Sequence, residues 1–450
     1  MITLEKQRSW FEQQLAAGST RHTGENPQWL QLVREDAIEA AAQLPLHNRS
    51  HEAWRYTSIE GLLRASFAGD AQAHQQDQAV IDDLLLPDFD SYRLVLVNGE
   101  FNARLSSCTD LPPGVRVESL RTALHTDTEL LANWFGSTAN HSESIFSALN
   151  TALINDGFFI HIDQDIELQR PIEVVYVNSG LNPGEDQQLM MHPRNLVVLQ
   201  PGAKATLVER FVGTIPSRYF HNNLTEISLQ QNATLKHYRL QDESRDAWHL
   251  SSISINQQSH SDYRGVTLAF GGAWARTEYH LDFDHEHATC GLSGLYTVGD
   301  KQLTDFHLTV KHRVADCRSR EQFKGILYGG GRAVFDGHIL VDKDAQRSDA
   351  QLSNDNLMLT RNAEVDTKPQ LEIYADDVKC SHGTTIGQLD PQQLFYMRSR
   401  GIDEATARSM LCQGFAAEII GQIDLPPLRK HATEILTNCL KQASKPEDGR

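Results

Sequence analysis

From about Ile160 to Asp377 the chain is a succession of short strand-like runs, and no long helical period interrupts them. Examples are IEVVYV (172–177), NLVVLQ (195–200), ATLVERFV (205–212), LTEISLQ (224–230), ATLKHYRL (233–240), SSISIN (251–256) and LTDFHLTV (303–310). Strands that follow one another without helical crossovers must bury their apolar sides against one another, which leaves a sandwich or a stacked solenoid. Several turns share one shape, a small or turn-forming residue followed by Ala: Gly202-Ala203, Asn232-Ala233, Gly272-Ala273, His287-Ala288 and Asn362-Ala363. Phe323-Lys324-Gly325-Ile326 is echoed by Phe335-Asp336-Gly337-His338, which reads as two successive rungs. Repetition of this kind favours the solenoid.

Helical patterns flank this β region. Asn26-Pro27 reads as a cap with proline at the first helical position, followed by Trp29, Leu32, Val33 and Ile38 at helical spacing up to Pro45. His51 to Leu63 carries a short helix or turn, and residues 68–90 read as a polar loop. A strand at Tyr92–Val97 leads through Asn98-Gly99, a hairpin-type turn, into Phe101–Leu105. A helix is predicted over Ser142–Ile154. After the β region, Asp390-Pro391 starts a helix, Gly401 ends it, Asp403 caps the next, and Pro426-Pro427 precedes a last helix reaching about Lys441. The division expected is 1–155 helical and mixed, 156–388 β, and 389–450 helical, with Leu394, Phe395, Ile402, Met410, Leu411, Phe415, Ile419 and Ile420 giving the tail its apolar surface.

A formal net charge of −18 argues against nucleic acid and against acidic membrane surfaces as principal partners. No run approaches the ~20 apolar residues needed to span a bilayer, and MITLEKQRSWFEQQL is no secretory signal, so a cytoplasmic location is expected. The six cysteines are scattered, with no C-x-x-C pair, which speaks against a zinc ribbon or a disulfide framework.

The richest stretch for chemistry is Leu371–Arg400, LEIYADDVKCSHGTTIGQLDPQQLFYMRSR. It begins as a strand, sets Cys380 and His382 two residues apart, is expected to turn through Gly383, and enters a helix. Side chains at i and i+2 of a strand share a side, so thiol and imidazole would point together, a pairing suited to iron, zinc or copper or to sulfur chemistry. Taken alone, the pair reads more readily as a buried cysteine beside a structural histidine. His280, Asp282 and Asp284 in HLDFDHEH form a second candidate, a hard-metal face, with solvated strand residues as the ordinary explanation; His307, His312 and His338 have similar structural explanations. Gly329-Gly330-Gly331 lacks a phosphate-loop frame, and no nucleophile elbow is present, so ATP hydrolysis would have to come from a partner.

Tyr374, Asp377, Val378, Cys380, His382, Gly383, Gly387, Phe395-Tyr396 and Arg398-Ser399-Arg400-Gly401 together resemble the C-terminal signature of the SufB/SufD family of SUF iron–sulfur cluster assembly scaffolds. Glu52-Ala53-Trp54-Arg55-Tyr56-Thr57, Val97-Asn98-Gly99, Ala148-Leu149-Asn150, Phe323-Lys324-Gly325 and Ala345-Gln346 extend the resemblance over most of the chain, and VKCSHGTTIGQLD matches the SufD branch. The resemblance implies a mainly β fold, a central right-handed parallel β-helix flanked by N- and C-terminal helical regions. It implies a non-catalytic scaffold that pairs with a SufB-like sibling and binds a SufC-like ABC-type ATPase through the C-terminal helices, with self-pairing when the sibling is absent. It further implies a transient iron–sulfur cluster shared with the sibling, with His382 at the subunit interface as a candidate iron ligand and Cys380 beside it, and a reduced flavin as a further candidate in the complex. Two rivals stand beside this reading: a β-helix enzyme acting on polysaccharide through His280, Asp282 and Asp284, and a self-associating scaffold without a metal role.

Overall fold

The computed structural model describes residues 3–19, 26–46, 51–67, 84–179, 188–214 and 216–443. Strands that follow one another in the chain alternate between two sheets. Lys204–Gly213, Thr234–Asp242, Asp262–Ala269, Thr289–Val298, Arg318–Leu327, Asp349–Met358 and Lys379–Gly387 stack in parallel in one sheet. Tyr219–Leu229, Trp248–Gln257, Trp274–Phe283, Leu303–His312, Arg332–Val341 and Glu364–Ile373 stack in the other. Each coil thus gives one strand to each sheet, and the chain winds as a two-faced parallel β-helix. Earlier strands, Tyr92–Val97 and Ile172–Asn178 on one face and Gly157–Ile162 and Arg194–Leu199 on the other, begin the stack.

The corners explain why the sequence coils at this pitch. Gly202, Asn232, His260, His287, Asp316 and Arg347 all take positive φ, between 59° and 73°. Each is followed by a small buried residue: Ala203, Ala233, Ser261, Ala288, Cys317 and Ser348. A left-handed residue turns the chain, and a small side chain behind it lets the next coil lie flush on the last. Gly272, Lys301 and Gly329 form a second left-handed column at the other corner. Asn362 has no such φ, so the turn expected there is of another kind.

Between the sheets runs one continuous apolar core, from Tyr92 and Leu94 at one end to partly buried Leu371 and Cys380 at the other. Tyr296, Phe306, Phe323 and Phe335 form a chain of rings through it, with centroids 5.1–5.6 Å apart. This corrects the reading of the Phe-x-Gly echo as successive rungs. Phe323 lies in Arg318–Leu327 and Phe335 in Arg332–Val341, the two opposed strands of one coil. Their rings meet across the core.

Helices cover both outer faces. Leu4–Ser19, Gln28–Gln43 and Ile145–Leu153, with the turn at Glu52–Trp54, pack through Phe11, Ala37, Trp54 and Phe146 onto Phe220, Leu250 and Trp274. Glu404–Ile420 and Pro426–Ala443 pack through Ala416, Ile419 and Leu436 onto Leu268, Leu295 and Ile326 of the other face. Local expectations shift in detail. Pro27 is the cap itself and the helix begins at Gln28. Asn98 and Gly99 both have positive φ as a hairpin turn needs, yet the return strand is only Glu100–Phe101. The helix expected over 142–154 is Ile145–Leu153, with Ser144 as its cap, and the last helix includes Pro426-Pro427. Residues 68–83 of the expected loop lie outside the described residues; beyond them Leu86 and Phe89 are buried under the C-terminal helices. All six cysteines are free, and no described helix is long and apolar enough to cross a membrane.

Candidate functional site: the last coil

The two strands of the last coil, Glu364–Ile373 and Lys379–Gly387, are the terminal members of their sheets. Each pairs on one side only among the described residues. The side chains that continue the core columns can be read from the register. Cys380 follows Cys290, Ser319 and Ala350, and His382 follows Leu292, Glu321 and Leu352. All six preceding residues are buried. Cys380 and His382 therefore share the inward side of their strand, as their spacing predicts. On the last coil the column emerges: Cys380 is half-buried against the core, and His382 is exposed.

Val365, Thr367, Leu371 and Ile373 stand opposite, in register with Ala333, Phe335, Ile339 and Val341, all buried. Thr367 and Thr384 link the two strands across the opening, hydroxyl to hydroxyl at 3.1 Å, and the Thr384 hydroxyl donates to the Asn354 carbonyl at 2.9 Å. Around them, Ile373, Tyr374 and Ile386 are 40%, 63% and 53% exposed. An apolar core that elsewhere is covered coil by coil ends here in a rim of apolar side chains and two open strand edges. Sequence reading missed this rim. Its signal was present in Ile373, Tyr374 and Ile386, but nothing in the residues told that the stack ends there.

Gly383 corrects a further expectation, since it lies inside Lys379–Gly387 and the strand runs straight through it. Burial pushes the Cys380 thiol up, so at neutral pH the sulfur carries its proton and is a packing group before it is a nucleophile.

Three residues beyond the last strand, Asp390 caps the helix Pro391–Ser399 by accepting from the Gln392 amide at 2.8 Å. No residue of this helix is buried, and Phe395 and Tyr396 are 75% and 59% exposed beside an open groove lined also by Pro391 and Leu411. The next helix is tied to the solenoid through Lys324, which lies 2.5 Å from Glu418 and 4.7 Å from the centre of the Phe415 ring. A second exposed surface thus follows the open coil along the chain.

The other candidates have charged or polar neighbours. Asp282 pairs with Arg313 at 2.8 Å, and Asp284 accepts from Asn256 at 2.7 Å and faces Arg313 at 3.5 Å. His280 is exposed beside them, and a face already neutralised by arginine has little left for a hard cation. His307 lies 3.0 Å from Asp305, His312 3.1 Å from Ser319, and His338 3.2 Å from Glu372.

Comparison with known proteins agrees with this architecture. Residues 11–174 match the family described as SufBD protein N-terminal region, and residues 182–415 match SUF system FeS cluster assembly, SufBD core domain. An iron–sulfur cluster assembly SufBD family protein of Synechocystis is 33% identical over 405 residues, 88% of each chain. The iron–sulfur cluster assembly protein SufD of Escherichia coli is 32% identical over 416 residues, covering 90% of this chain and 94% of that protein. SufD of Bacillus subtilis is 23% identical over 463 residues, spanning 98% and 100%.

Proposed function

The chain belongs to the SufBD family of iron–sulfur cluster assembly proteins, and from that premise we propose that it is a non-catalytic scaffold whose last coil pairs with a SufB-like sibling. The observation that carries this reading is the unfinished core: a solenoid needs a cap at each end, and here the final coil leaves strand edges and apolar side chains open. A sibling of the same fold is the complementary partner, since parallel strands of matching pitch would continue both sheets. When the sibling is absent, the same end pairs with a second copy.

In this reading His382 lies in the seam, with Cys380 behind it, and offers an imidazole to iron or a proton relay to sulfur while a cluster is built with groups of the sibling. The cluster is cargo, held transiently by both chains. The helices from residue 389 onward dock an ABC-type ATPase subunit, with Phe395 and Tyr396 as the exposed apolar anchors. Lys324, bridging helix and coil, is the element that would carry the ATPase's movement into the seam. ATP binding must then favour an open seam by more free energy than the seam loses.

Reconstitution of His382→Ala with the sibling and the ATPase subunit tests the reading. The expected result is a complex of normal composition whose cluster yield falls about tenfold or more, the range typical of losing a metal-site residue. Full cluster yield from an intact complex would remove His382 from the mechanism.

A further inference from the structure

Four to five coils before the opening, three side chains that no part of the proposed mechanism uses converge inside the solenoid wall. His221, in Tyr219–Leu229, and His249, in Trp248–Gln257, are register partners on adjacent coils. Glu243 sits at the corner just beyond Thr234–Asp242. All three are at least 96% buried, and one potential ligand atom from each lies within 4.8 Å of the others. Glu243 Oε2 is 2.7 Å from His249 Nδ1, and Oε1 is 3.6 Å from His221 Nδ1. Tyr176 and Phe211 stand edge-on to the imidazoles, with centroids 4.9–5.4 Å away, and hold the rings in a dry setting.

The ordinary explanation is a hydrogen-bonded His–Glu–His core, and the same solenoid contains a control for it. At Glu209, His237 Nε2 faces the carboxylate at 3.0 Å, His237 Nδ1 faces Tyr263 Oη at 2.9 Å, and Arg239 supplies the balancing charge at 2.8 Å. That cluster accounts for both ring nitrogens. The Glu243 cluster does not: its ion partners among the described residues are two histidines, and His221 Nε2, His249 Nδ1 and Asn178 Oδ1 are all buried without a hydrogen-bond partner. His249 Nδ1 is close to the carboxylate but off the line that a hydrogen bond requires. Each orphaned buried polar group costs about 1–3 kcal/mol, so three around one carboxylate call for a common explanation.

We propose that His221, Glu243 and His249 bind one divalent first-row transition-metal ion, resident in the solenoid wall. Two imidazoles and one carboxylate suit zinc or ferrous iron, and the imidazoles disfavour magnesium and calcium. Bonds of ~2.0–2.2 Å to a central ion set its ligand atoms roughly 3–3.6 Å apart, so the 3.6 Å between Glu243 Oε1 and His221 Nδ1 already fits, while His249 Nδ1 has to draw back from Oε2. Asn178, whose Nδ2 lies 3.0 Å from Glu243 Oε1 and 3.1 Å from His221 Nδ1, and Tyr219 stand ready as outer partners. Burial pushes the His221 imidazole down. Burial alone would raise the Glu243 carboxyl, but the two imidazoles outweigh it and hold it well below the usual range. The site is separate from His382. From His249 its ladder runs through Ala275, Thr304 and Ala333 to Val365 on the last coil, four strand spacings or roughly 19 Å away. Since all three ligands are buried, the ion enters as the chain folds and exchanges slowly.

The full-length protein, unfolded with chelator and refolded anaerobically with Co²⁺, Zn²⁺ or Fe²⁺, is the test. The expected result is one equivalent of metal per chain, visible d–d absorption for Co²⁺, and a higher Tm than for protein refolded with chelator. His221→Gln and His249→Gln should each reduce bound metal at least tenfold, while His382→Ala keeps the full equivalent. Wild-type protein that refolds with no stoichiometric metal and no cobalt spectrum would overturn the proposal, and so would equal metal content in a folded His221→Gln/His249→Gln variant. The wild-type measurement decides the matter even if the variants fail to fold, and it is independent of cluster assembly at His382.

Discussion

Arg276 holds its guanidinium 3.9 Å from the centre of the Trp54 ring, joining the solenoid wall to the N-terminal segment. The same guanidinium donates to the Ala53 carbonyl at 3.0 Å, to Glu278 at 2.7 Å and to Asp305 at 2.5 Å, and the Thr57 hydroxyl donates to Asp305 at 2.5 Å. The run Glu52-Ala53-Trp54-Arg55-Tyr56-Thr57 is therefore a clasp. Trp54 is buried, and a buried aromatic truncated to alanine costs ~3–5 kcal/mol. Trp54→Ala should lower the denaturant midpoint accordingly and Trp54→Phe by much less, as read by equilibrium unfolding.

Acid should loosen this clasp. Burial alone would raise the Asp305 carboxyl, but the Arg276 charge overrides it and holds it at about 2. A depressed carboxyl contributes stability that is fully present above its unfolded value near 4 and is lost as pH falls through 2, a contribution of about 2–3 kcal/mol. Asp305→Asn removes this dependence and leaves Arg276 short of a partner. The variant should be clearly less stable than wild type at pH 7, with the gap narrowing between pH 4 and pH 2 in unfolding free energies.

Glu321 should act in the opposite sense. It lies in the inward column beneath Leu352 and His382, and burial pushes its carboxyl up to about 8. The unfolded chain releases this proton near pH 4.5 while the native chain keeps it. Wild-type stability therefore drops from pH 4.5 to about 8 and levels off above. Glu321→Gln should gain on wild type across that window, on the order of 5 kcal/mol at ~1.4 kcal/mol per pH unit. Melting curves of both proteins from pH 5 to 9 check this; parallel curves would refute it.

Gly325 is fixed by a ring. A Cβ there would come within 2.3 Å of Tyr296 Cε2 and 2.4 Å of Asn356 Oδ1, and the Tyr296 hydroxyl is already bonded to Asn356 at 2.7 Å. Gly325→Ala should lose ~1–3 kcal/mol through overpacking. Gly383→Ala, where no atom lies within 4 Å, should be close to neutral in the same assay.

Pairing should depend on the rim. Ile386→Asp places a charge on an exposed apolar position of the last strand, so the isolated chain should keep its Tm. Co-purification with the sibling, and self-association in its absence, should both fall at least tenfold, since a buried unpaired charge in an interface costs several kcal/mol. Unchanged co-purification would move the interface elsewhere.

The coil was legible in the sequence through its strand texture and through Gly202-Ala203, Asn232-Ala233 and His287-Ala288. Its period was hidden because His260, Asp316 and Arg347 take the same left-handed corner with side chains that give no hint of it, and Ser261, Cys317 and Ser348 replace the alanine. The side shared by Cys380 and His382 followed from strand geometry. Their position on an uncovered coil did not, because exposure depends on where stacking stops, and no local residue pattern encodes that. The buried trio was invisible for a related reason: His221 and His249 are brought together only by the pitch of one coil.

A strand edge that ends in mid-pattern is also a growth point. Any chain with parallel strands of similar rise could lengthen this stack, and on the pairing proposed above an excess of this chain over the sibling would leave that edge open to wrong partners. The abundance of the two chains, and the order in which they leave the ribosome, would on this view be under selection as strongly as the residues in the seam.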